Sequence, residues 1–313
     1  MFGDLVNVLK QHKRTLLIAL AVAMIIVLFY LVYRKIRASR TQGTTSDTRV
    51  AANTTTIRLA TEADIQEAID SSYDVFFGEM THADLYARGM TKASTSVSRD
   101  AFGELRYQYM QRYKDACSTH DDQEAQLLAS LVQRCDEAVS RHLRSITAKD
   151  ANSIDREMHE KLLALPWKFA KLDDAFEHGY PHTLHDVIFL PSSFLDDDSH
   201  DKLCETLLHE KIHVFQRTHP DITARILDHE YMRLDSDATR LPPLRRNNPD
   251  LDRQIYQHRS TMCTTVQVYN TMLPKDLADS RIVCLNPNCR QKHHPYEHPY
   301  EEMAYVWSSE LMK

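Results

Sequence analysis

Glycine is scarce, with six residues in a chain of 313, where about 7% is usual. Glycine supplies the left-handed positions of tight hairpin turns. Its scarcity therefore argues for helices joined by ordered loops and against a β-rich fold. A basic surplus is missing too: the formal charge is -6 at pH 7 and the pI is about 6.3. No positive field of the kind that phosphate backbones demand is present, so nucleic acid is not an expected partner. The six cysteines, at 117, 135, 204, 263, 284 and 289, are too sparse to be read as a disulfide framework and leave the redox compartment open. What remains is ordinary globular usage, 42% hydrophobic and 26% charged, enough for a sizeable core. Histidine stands out with seventeen residues, several of them beside carboxylates near the C-terminus.

Charge is absent over Leu16 to Tyr33, eighteen residues reading LLIALAVAMIIVLFYLVY. As a helix this run would span about 27 Å, just enough to cross a bilayer. Arg34, Lys35 and Arg37 follow at once, where a cleavable leader would show small residues. The expected organisation is a tail over 1–14, a single-pass transmembrane helix over 15–33 and a flexible Thr-rich linker over 34–58. Lys10, Lys13 and Arg14 on one side balance Arg34, Lys35, Arg37 and Arg40 on the other, so charge sets no orientation. Asn53-Thr54-Thr55 matches the glycosylation acceptor triplet.

Residues 59–165 follow a helical pattern, as in ADIQEAIDSSYDVFFGEM and EAQLLASLVQRCDEAVSRHLRSI, where apolar residues recur three and four apart. After Pro166 the run HTLHDVIFLP predicts a strand over Val187 to Leu190. The segment from Ser192 to Pro220 predicts a helix that opens on Ser and Asp caps and stops at Pro220.

On that helix lies His209-Glu210-Lys211-Ile212-His213, an HExxH sequence. Two histidines at i and i+4 share a helical face, so both imidazoles can reach one cation. Zinc suits them because it takes neutral nitrogen ligands and keeps a position for water. Glu210 follows the first ligand and can reach that water as general base. Leu207, Leu208, Ile212, Val214 and Phe215 make the helix apolar, where two imidazoles and an acid are costly to bury without a partner. Lys211 lies about 200° around the helix from His209 and points away from the metal.

These residues resemble the zincin superfamily of zinc metallopeptidases, and the resemblance covers residues 180 to 313 at most. It implies an α+β, mostly helical fold with a small sheet beside the metal helix, a zincin-like domain over 166–313, Zn2+ as cofactor and peptide or protein as substrate. It also implies a third ligand, for which several residues compete. His219 has the spacing of the third metzincin histidine, but Gln216 stands where that motif has its glycine. Glu230 has a compact gluzincin spacing without the small residue that follows the ligand. Glu301 with Ala304 forms an ExxA pattern similar to the glutamate helix of gluzincins, and it is the favoured ligand, with Glu302 and Glu297 as register alternatives in the repeat HPYEHPYEE.

The long interval from His213 to Glu301 implies an insertion, including RLPPLRRNNPDLDRQIY and a helical HRSTMCTTVQVYNTML. DVIFLP is placed to be the cleft strand that pairs with an extended substrate, or an ordinary core strand. Tyr256, His258 and Tyr305 are candidate oxyanion donors. Cys284 and Cys289, with His293 and His294, read as loop thiols in preference to a second metal site. The expected function is a membrane-anchored zinc metallopeptidase. The alternative is a catalytically silent membrane protein of zincin fold that acts in structure or interaction.

Overall fold

The structure, a computed structural model, describes residues 57–90, 99–146, 153–197, 199–234, 241–289 and 295–313. The expected membrane span over 15–33, the linker as far as residue 56, Asn53, His293 and His294 lie outside the described residues, and linker residues 57 and 58 instead begin a strand that pairs in the central sheet. Among the described residues no helix is long and apolar enough to cross a membrane.

The fold is mixed α+β. Its central sheet runs β1 (Ile57–Leu59), β3 (Trp167–Leu172), β5 (Val187–Pro191), β4 (His182–Leu184), with the short β2 (Cys117–Ser118) also on β3. β1, β3 and β5 are parallel, and β4 returns antiparallel at the edge. Side chains alternate across a strand, and both faces of β3 and β5 are covered. Trp167, Phe169, Ile188 and Leu190 face one core, and Ala170, Leu172, Val187 and Phe189 the other. The second core is closed by α1 (Glu62–Ser71), α2 (His82–Ala87) and α3 (Arg99–Ala116). The first core is closed by α4 (Asp122–Ser145), α5 (Ile154–Ala164), α6 (His200–Thr218), α7 (Pro220–Leu227) and α8 (Pro299–Leu311). Elements from before and after residue 166 thus share one sheet and one core.

Local chemistry fixes the helix starts. Thr61, Thr81 and Asp121 each accept from the backbone of N3, whose Asp64, Asp84 or Glu124 side chain answers the cap, a reciprocal capping box. Pro220 and Pro299 each occupy the first turn of a helix, where the missing N–H costs nothing.

The expected strand over Val187 to Leu190 is β5, and the run HTLHDVIFLP carries a second strand ahead of it, because His185 adopts φ 53° and turns the chain between β4 and β5. Other expectations are corrected. β5 has neighbours on both sides and cannot be the cleft strand; that edge belongs to β4. Pro220 ends α6 and also begins α7. HRSTMCTTVQVYNTML is not helical. It carries the end of β7 (Ile255–His258), a turn, and β8 (Thr265–Tyr269), where its β-branched residues pair. β7 pairs with β6 (Tyr231–Leu234), and β8 with β9 (Ser280–Cys284). The sparse cysteines do pair, Cys135 with Cys204 and Cys263 with Cys289, across 69 and 26 residues that the fold brings together.

Lys211 points away from the other HExxH side chains, into the core, and is 1% exposed. Its ammonium lies 3.2 Å from Asp136 of α4 and 4.1 Å from the Trp167 ring centroid, while the Trp167 indole N–H donates to the same carboxylate. Burial pushes the Lys211 amine down to about 8, although Asp136 works against the shift. Below the ordinary lysine range the unfolded chain holds the proton more tightly than the fold, so stability should rise as pH climbs from about 8 towards 10.5. Urea unfolding across that window should show the rise in wild type and not in Lys211→Met. Asp136→Ala, which strands the buried ammonium, and Lys211→Met, which strands the buried carboxylate, should each cost about 3 kcal/mol, whereas replacing both together by Lys211→Met and Asp136→Leu should be close to neutral.

Candidate metal centre

α6 and α8 carry the centre. His209 and His213 stand one turn apart on α6, and their Nε2 atoms are 3.0 Å from each other. Glu301, in the first turn of α8, brings Oε2 to 3.5 Å from His209 Nε2 and Oε1 to 3.8 Å from His213 Nε2. One ligand atom from each lies within 4.8 Å of the others, a group able to hold a metal ion. A tetrahedral ion with bonds of about 2.0–2.1 Å has ligand atoms about 3.3–3.4 Å apart. The observed spacings bracket that value. Ala304, one turn beyond Glu301, is wholly buried in the core shared with α6, where its small side chain lets the two helices approach.

Neighbouring groups set the chemistry of the donors. The His213 Nδ1–H donates to Gln216 Oε1 at 2.8 Å, which leaves Nε2 as the lone-pair nitrogen, and the Gln216 amide donates to the Tyr300 carbonyl at 3.0 Å. Gln216 thus orients the ligand and ties it to α8. Burial pushes the His213 imidazole down, which favours the neutral ring a metal requires. Burial works against charge on Glu301, yet His213, His209 and the Asn248 amide hold its carboxyl down at about 2. The Asn248 amide donates to Glu301 at 2.8 Å and to Glu297 at 2.9 Å.

Glu210 lines the same cleft and is buried, and its Oε2 has no hydrogen-bond partner. Its carboxyl is pushed well up by burial, then by Asp250 and Glu301. Buried, converging carboxylates of this kind call for a cation. The His209 Nδ1 is likewise buried without a partner.

The remaining candidates are placed elsewhere. Glu302 turns aside to the Tyr231 hydroxyl. Glu297 lines the cleft but is absent from the ligand group, and burial raises its carboxyl to about 7. Glu230 is exposed in a turn after α7. His219 sits between α6 and α7 with its ring 5.2 Å from Phe215. Of the oxyanion candidates, Tyr256 packs on His298 and Tyr300, and His258 packs on Tyr231. Tyr305 lines the cleft with its ring 4.3 Å from that of His209.

The cleft encloses about 720 Å³ between α6, α8, the lead into β4, residues 246–250 and the β8–β9 hairpin. The edge of β4 is sealed at Thr183. Its N–H donates to Asp250 at 2.7 Å and its carbonyl accepts from Arg217 at 3.2 Å. Gln216, Arg217, Asn248 and Asp250 were not singled out from sequence for these roles. Gln216 is the one with a legible signal, since three residues from His213 places it on the same helical face.

Comparison with protein-family models, curated proteins and solved structures finds no match to this chain.

In a chelator competition with zinc, Glu301→Ala should lose at least as much affinity as Gln216→Leu, which should weaken binding about 10–100-fold. His219→Ala and Glu302→Gln should bind as wild type does. Loss of binding in His219→Ala with retention in Glu301→Ala would transfer the third ligand to His219.

Proposed function

We propose that the chain is a zinc-dependent metallopeptidase of the zincin type, tethered to a membrane by residues 15–33. One observation carries this reading: two imidazole nitrogens and a carboxylate converge beside a cleft that Glu210 also lines. Zinc bound by His209, His213 and Glu301 would supply a water of lowered pKa and polarise a scissile carbonyl.

The protein groups take the other parts. Glu210, which lines the cleft and has a buried oxygen without a partner, accepts a proton from the attacking water and returns it to the leaving amine. Burial raises its carboxyl, and Asp250 and Glu301 add to the shift; a divalent ion held by His209, His213 and Glu301 would offset that repulsion. Tyr305, whose hydroxyl is pushed up to about 12 by burial and the surrounding carboxylates, stays protonated at neutral pH and donates to the developing oxyanion. The cleft volume accommodates a peptide segment of a few residues.

The alternative, a catalytically silent membrane protein of zincin fold, draws support from the sealed β4 edge. An extended substrate cannot pair with the main chain of Thr183 while Asp250 and Arg217 occupy it.

Full-length wild type loaded with zinc should cleave members of a mixed peptide library. Glu210→Gln should keep its zinc and lose on the order of 10²–10⁴-fold in kcat. Tyr305→Phe should lose about 100-fold in kcat with little change in KM. Zinc-loaded wild type that cleaves nothing would favour the silent alternative.

A further inference from the structure

A second group of ligand-type side chains lies apart from the histidine site. Cys263 precedes β8, Cys284 ends β9, and Cys289 closes the turn CLNPNC that follows. Their three sulfur atoms lie within 4.8 Å of one another. Cys263 and Cys289 form a disulfide and Cys284 is a free thiol beside them. A disulfide needs two sulfurs, and a third held at the same point is what a thiolate metal site requires.

We propose that, once the disulfide is reduced, Cys263, Cys284 and Cys289 form a thiolate site for a zinc ion.

The backbone is arranged for it. Thr265 pairs with Cys284 in the β8–β9 register, and the Leu285 N–H donates to the Thr264 carbonyl at 2.7 Å, so strand pairing holds Cys263 and Cys284 side by side. The Thr264 N–H points at Cys284 Sγ at 3.4 Å, which fixes where that sulfur sits. The Cys289 N–H donates to the Asn286 carbonyl at 3.1 Å and brings the third sulfur back. Cys284 and Cys289 are partly exposed, so a reductant can reach the bond.

A two-stranded ribbon is marginal by itself, and among the described residues the apolar cluster under this one is small, Ala83, Tyr269 and Leu277 with Ala87 and Leu244 packed against it. A cross-link at its end therefore matters in either redox state. Gln267, Ser280 and Ile282 of the same ribbon line the cleft, so the cross-link also stiffens one wall of it.

The chemistry balances. A dithiol or phosphine reductant gives two electrons to the Cys263–Cys289 bond, two protons are taken up, and two thiols result. Zinc then displaces three thiol protons as three sulfur–metal bonds form, which leaves a fourth position for water or another donor.

The test uses the full-length chain with His209→Ala and His213→Ala, which removes the first site and makes the result independent of the peptidase reading. After phosphine reduction and anaerobic removal of the phosphine, cobalt(II) should bind at one equivalent with a sulfur-to-metal charge-transfer band. The unreduced protein should lack the band, and Cys284→Ser in the same background should lose it. A reduced His-site variant that shows no such band overturns the proposal, whatever the fate of Cys284→Ser. An unchanged band in Cys284→Ser also overturns it, since the cobalt would then be on other thiols.

Discussion

The packing of α6 against α8 is the constraint on which the site depends. It places two imidazoles and an ionised carboxylate in a largely dry seam, where such groups are costly unless a cation or hydrogen bonds compensate them. Ala304 allows the approach, Gln216 reaches from one helix to the other, and Asn248 holds Glu301 from the loop side. The opposite face of α6 solves a similar problem without a metal, since Lys211 is matched to Asp136 and Trp167 within the core.

Other parts of the fold hold the cleft open in a defined shape. Glu177, His178 and Gly179 have φ values of 43°, 60° and 70°, a left-handed run that is unfavourable for the two non-glycine residues. The Glu177 carboxylate is gripped by Arg88 at 2.8 and 2.7 Å and by the Tyr109 hydroxyl at 2.6 Å. That buried network keeps the turn in place, and the turn delivers Tyr180, Pro181 and His182 to the cleft wall. Asp250 and Arg217 then close the strand edge that follows.

The sequence shows the helical half of this arrangement more plainly than the rest. HExxH on an apolar periodic segment places His209, Glu210 and His213 because i and i+4 are neighbours on any helix, and ExxA places Glu301 beside a small residue for the same reason. Loop contributions follow no period. Asn248 and Asp250 act through a turn whose position depends on tertiary contacts across more than fifty residues of chain. The segment HRSTMCTTVQVYNTML misleads because its apolar spacing fits a helix while its Thr and Val content fits strands, and pairing with β6 and β9 decides the outcome. The cysteine pairs were equally hidden, since spacing along the chain says nothing about which sulfurs meet.

Anomalous scattering at the zinc absorption edge, from crystals of the wild-type chain grown with zinc, tests the central claim most directly. The account predicts a peak bounded by His209 Nε2, His213 Nε2 and a Glu301 carboxylate oxygen, with its open side towards the cleft that Glu210 lines. A zinc-saturated crystal with no peak between the two imidazoles, or with a peak there and Glu301 turned away, would contradict it.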